Sequence, residues 1–154
     1  MKIAGIVLLV LVLAVVVLFA SRSYASRQNP PPVGLVDGKL RACPSSPNCV
    51  QSEGADADHS IEPLAYKTDR GASERALEAA LGSIGNTQIQ ARSGDHWHAH
   101  NVSRLFRFID DIEVRFDDAA KQIHLRSGSR VGYSDMGANR KRMAALGAAY
   151  QSQP

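Results

Sequence analysis

Residues 105–116 read "LFRFIDDIEVRF". Phe106, Phe108, Ile112, Val114 and Phe116 share one parity. Side chains alternate across a strand, so these residues predict a single apolar face of a β-sheet. Asp110 falls on that face, between Phe108 and Ile112. A carboxylate in such company needs hydrogen-bond donors or a cation. Arg130 and Arg140 are the candidates. The expectation is a charge-assisted pair of Asp110 with Arg130, leaving Arg140 at the surface. Asp111 and Glu113 have the opposite parity, which predicts a solvated strand face.

Working outward, Asp117 to Ala120 predict a turn into "KQIHLRSGSR", whose Ile123 and Leu125 face inward. Upstream, "TQIQAR" and "HWHAHNV" read as strands joined at Ser93-Gly94-Asp95. Leu77, Ala80, Leu81 and Ile84 recur at helical spacing within 73–84, with Ser73 as the N-cap and Gly85-Asn86 as the stop. A last helix, capped by Ser134 or Asp135, runs to about Tyr150. Its core stripe is Met136, Met143, Leu146 and Tyr150. The predicted class is α+β: an antiparallel β-sheet covered by two α-helices, preceded by one N-terminal transmembrane helix.

That helix is "IAGIVLLVLVLAVVVLFA", residues 3–20, with no charge and no proline. It would extend about 27 Å, against a hydrocarbon thickness of roughly 30 Å. Residues 1–21 are read as an uncleaved membrane anchor, 22–39 as a stalk containing Pro30-Pro31-Pro32, and 40–151 as a globular domain. Ser23-Tyr24-Ala25 offers the competing reading, a cleaved export signal. A short basic N-terminus before one apolar helix predicts single-pass placement, with the domain on the exported, periplasmic side.

The formal net charge of +3 does not point to nucleic acid. Lys2, Arg22 and Arg27 account for the whole excess, so the domain is neutral and lacks a nucleic-acid footprint. Within it the charge is uneven. Residues 53–78 hold seven acids against three bases, and 126–142 hold five bases against one acid.

Cys43 and Cys49 enclose five residues of a proline-kinked loop. In an exported chain this spacing predicts a local disulfide; in a reducing compartment it predicts two thiols. His96, His98 and His100 alternate on one strand and face one side. Zinc ligation is geometrically open to them, but no third-ligand pattern accompanies them, and His124 joins only from an adjacent strand. The expectation is an exposed polar face, no metal and no cofactor. No nucleophile elbow, Walker loop or dinucleotide fingerprint is present.

The stretch "SRVGYSDMGANRKR", 129–142, carries the candidate site: Ser129, Arg130, Tyr133, Ser134, Asn139 and Arg140. Helix N-terminal amides beside an arginine suit an anion. The competing reading is a hydrogen-bonded turn that ties the last helix to the sheet.

"CPSSPNCVQS", "RLFRFIDDIEVRFD" and "LRSGSRVGYSDMGANRKRM", in that order, resemble the family catalogued as domain of unknown function 1499. The resemblance runs from about Leu40 to Tyr150 and departs in "HWHAHN", where fewer histidines are expected. It implies the fold and a place behind a membrane anchor or export signal, and no reaction. The functional expectation is a membrane-anchored envelope protein, an accessory module that binds an anionic ligand or a protein partner. The alternatives are a hydrolase using Asp110 or Asp111 with Arg130, and a purely structural envelope protein.

Overall fold

In a computed structural model, which describes residues 2–28 and 30–154, "IDDIEVRFD" forms the middle strand of the sheet. The elements in chain order are α1 (Lys2–Gln28), β1 (Leu35–Val36), β2 (Lys39–Leu40), β3 (Cys49–Gln51), β4 (Leu64–Ala65), α2 (Arg70–Ser83), β5 (Thr87–Ser93), β6 (His96–Val102), β7 (Ile109–Asp117), β8 (Gln122–Ser129) and α3 (Ala138–Gln151). The main sheet runs β3-β8-β7-β6-β5, with β4 also on β8, and every pair of strands is antiparallel. The fold is α+β, as the patterning predicts.

Register explains the core. Trp97, Val114 and Leu125 stand in one cross-strand row, and Ala99, Ile112 and Ser127 in the next. Toward one end the same face turns polar, with Asn101, Asp110 and Ser129 in a third row. Helices α2 and α3 cover this face with Leu77, Ala80, Leu81, Met143, Leu146 and Tyr150, all buried. The polar row lies where helical cover begins, at the start of α3.

Three local expectations need correction. The strand starts at Ile109, not at Leu105. Arg107 takes a left-handed φ of 59°, and the chain closes a turn in which Ser103 N donates to Phe108 O and Phe108 N donates to Ser103 Oγ. Phe106 and Phe108 therefore leave the sheet face. They gather around Phe19 of α1, with the Phe19 and Phe106 rings stacked at 4.1 Å. The N-cap of α2 lies four residues earlier than expected, at Asp69, which accepts from Ala72 N. Ser73 sits inside the first turn and donates to Asp69 O. Met136 is 91% exposed and precedes α3, so it does not belong to the core stripe.

Helix α1 is long and apolar enough to cross a membrane. Its side chains from Ile6 to Leu18 are exposed. The helix continues through residues 22–28, where Ser23 and Ser26 are buried against the domain. Residues 35–40 form a small hairpin that lies over the outer face of the main sheet.

Candidate functional site

The outer face of the sheet is built from charge. Strand β6 contributes His96, His98 and His100, and β7 contributes Asp111, Glu113 and Arg115. Arg126 and His124 come from β8, with Arg130 just beyond its end. Glu113 accepts from Arg126 at 2.9 Å, from His96 at 3.0 Å and from the backbone of Gly34 at 2.7 Å. Asp111 accepts from Arg130 Nε at 2.8 Å, from Arg130 Nη2 at 2.9 Å and from His98 at 2.8 Å. Arg130 reaches further, donating to His100 Nε2 at 2.6 Å and to the Ser26 carbonyl at 3.2 Å. Asp111 and Glu113 are almost completely buried. The expected solvated face is instead an ionic ladder roofed by the N-terminal segment, and the histidines are part of it.

The donor atoms of His98, His100 and Asp111 lie within 4.8 Å of one another, close enough for a metal ion. Arg130 already supplies a permanent positive charge to the same carboxylate and the same imidazole. A metal would have to displace it. The arrangement provides charge neutralisation and rigidity; at its β8 edge Ser52 Oγ lies 3.4 Å from His124 Nδ1.

Burial pushes the Asp111 carboxyl up, but the bonds from His98 and Arg130 outweigh it and hold the group below the usual carboxylate range. Glu113 behaves likewise, with His96, the Gly34 amide and Arg126 overcoming burial. Burial, then the charge of Arg130, depresses the imidazole of His100. A depressed folded-state value means the unfolded chain takes up the proton first, so stability falls as pH falls. For His100 the loss begins below about pH 6.5, and for the two carboxyls below about pH 4. His59, raised by its hydrogen bond to Asp56, works in the opposite direction. The test therefore compares urea midpoints of the parent with those of His100→Asn. The gap between them is expected to change between about pH 8 and pH 5.5; a constant gap would contradict the coupling.

The terminal motif divides into two groups. Asp110 pairs with Arg142 at 2.6 Å, not with Arg130, which is committed to the other face. Arg140 is not left free: it donates to the carbonyls of Ser60 and Asp58. Asn139 is fully buried, accepting from Ser127 Oγ at 2.6 Å and donating to Asn48 O and Ser129 Oγ at 2.9 Å each. The first amides of α3 are engaged as well, since Asp135 accepts from Gly137 N and Asn139 N. These groups dock the helix.

Ser129, Tyr133 and Ser134 do open onto a groove of about 780 Å³. Its walls are the end of α1 (Leu18, Phe19, Arg22), the turn from Ser103 to Phe108, and the segment from Ser129 to Ala138. Leu105, Tyr133 and Met136 are largely exposed along it, and the Asp110–Arg142 pair lies in the wall. Phe19, Arg22, Met136 and Arg142 were not singled out by sequence patterning as a site. The available signal was the pair Phe106 and Phe108, whose parity suits a strand but whose partner is α1.

The cysteine loop organises the same end of the sheet. Cys43 and Cys49 form a disulfide. Gly128 faces it across the strands: a Cβ there would stand 3.3 Å from Cys49 Sγ. Asn48 O accepts from Ser129 N and from Asn139, while Asn48 Nδ2 donates to Gly132 O. A family model described as a protein of unknown function, DUF1499, matches residues 39–149. The chain belongs to the DUF1499 family. Comparison with curated proteins finds no match. The DUF1499 match contains the disulfide, both carboxylates of the ladder and the Asn139 clamp. Helix α1, one wall of the groove, lies outside it.

Proposed function

We propose that this DUF1499 chain is a membrane-anchored binding module that holds an anionic amphiphile at the membrane surface, with its domain on the exported side. The observation that carries this reading is the groove whose wall is shared between α1 and the domain. Apolar side chains line it, and Arg22 and Arg104 stand at it with no ion pair among the described residues. The volume suits a small ligand.

Retention of α1 is supported by the same contacts. Cleavage after Ala25 would remove Phe19 from Phe106 and Phe108, and would take away Ser23, which is buried. A hydrolase using Asp110 or Asp111 has less support, because each carboxylate is held by an arginine.

The test uses the full chain in nanodiscs of phosphatidylcholine, titrated with dodecyl phosphate or with neutral dodecyl maltoside. Saturable binding is expected for the phosphate alone. Arg104→Ser is expected to weaken it roughly fivefold, about 1 kcal/mol. Equal binding of the two amphiphiles, or none, would contradict the proposal.

A further inference from the structure

We infer that the groove's resident ligand is an anionic phospholipid from the bilayer that α1 crosses, its phosphate at Arg22 and Arg104 and its acyl chain along Leu105, Phe106 and Met136; this rests on the binding reading above. Depth argues for a lipid. Residues 3–20 span about 27 Å as helix, so Phe19 and Arg22 come at the end of the hydrocarbon layer, where phosphates meet acyl chains. A ligand at that depth enters sideways without leaving the membrane. A soluble ligand would meet a groove one of whose walls continues directly into lipid.

Surface chemistry points the same way. Leu105 is 79% exposed and Met136 91%, on two different segments that line one groove. Contiguous exposed apolar surface of this kind marks a membrane or ligand contact. Apart from Arg142, which pairs with Asp110, the basic residues lining the groove are exposed, Arg22 on α1 and Arg104 on the turn from Ser103 to Phe108. Their spread over two elements matches a headgroup bridging anchor and domain. Arg130, Arg140 and Arg142 are engaged, with Asp111, with carbonyls and with Asp110. Attraction of juxtamembrane arginines to anionic headgroups supplies the selectivity.

The test places p-benzoylphenylalanine at position 136 of the full chain in nanodiscs of equal parts phosphatidylglycerol and phosphatidylcholine. After irradiation the adducts are weighed. Phosphatidylglycerol adducts are expected to exceed phosphatidylcholine adducts by on the order of tenfold. The Arg22→Ser, Arg104→Ser double variant is expected to lose that preference while keeping the parent's circular dichroism melt. Excess inorganic phosphate should leave the yield unchanged. Adducts in the bulk lipid ratio, or competition by inorganic phosphate, would overturn the lipid assignment. If saturable dodecyl phosphate binding survives in that case, the broader binding reading stands; if both fail, the groove is not a ligand site.

Discussion

Asp111→Ala is expected to destabilise the domain by roughly 3–5 kcal/mol, the cost of breaking a buried ion pair from one side. The carboxylate is 1% exposed and accepts three hydrogen bonds. Without it, the guanidinium of Arg130 and the ring of His98 lose their carboxylate acceptor where little water reaches. Arg130→Ala should cost a similar amount and should also loosen the end of α1, since Arg130 donates to the Ser26 carbonyl. The double change Asp111→Leu, Arg130→Met should be milder than either single change, because no charge is stranded. Urea unfolding of the full chain in a mild detergent measures all three. A silent Asp111→Ala would mean that the outer face is solvated after all.

Asn139→Ala is the second large effect, about 3 kcal/mol from buried groups left without partners. The amide uses both donors and its oxygen: Nδ2 bonds Asn48 O and Ser129 Oγ, and Oδ1 accepts from Ser127 Oγ and Arg142. It joins the disulfide loop, strand β8 and helix α3 at one point. Asn139→Asp keeps the shape but cannot donate to Asn48 O, so it should be as damaging near neutral pH. Arg140→Ala, whose partners are two exposed carbonyl contacts, should cost less than about 1 kcal/mol. A larger loss from Arg140→Ala than from Asn139→Ala would place the anchor of α3 elsewhere.

The core residues of the central strands follow from parity because a two-residue period leaves one solution for Ile112, Val114, Phe116, Ile123 and Leu125. The same rule assigns Arg130 correctly if it is carried through β8. Ile123, Leu125 and Ser127 face the helices, so Arg126 and Arg130 face outward with Asp111 and Glu113. Proximity along the hairpin suggests Asp110 for Arg130, and the alternation rules it out. Arg142 could not be assigned to Asp110 this way, since that contact depends on how α3 is rotated on the sheet. Nor does alternation reveal whether an outward face is covered. The cover comes from Ser26, Gly34 and the 35–40 hairpin, far away in sequence and without a periodic pattern. The groove is hidden for a related reason. Its walls come from three separate segments, and the turn that includes Arg107's left-handed backbone carries Phe106 and Phe108 to Phe19 of α1.

The proposed membrane-surface placement of the groove is measured most directly by the depth of its rim. A bimane label on a cysteine at position 136 in the full chain, in vesicles carrying shallow doxyl-labelled lipids, is compared with one at Ala119, at the opposite end of β7. Strong quenching at position 136 and little at 119 is the predicted result. Equal quenching at the two positions, or none at 136, would contradict a ligand groove opening at the foot of the anchor.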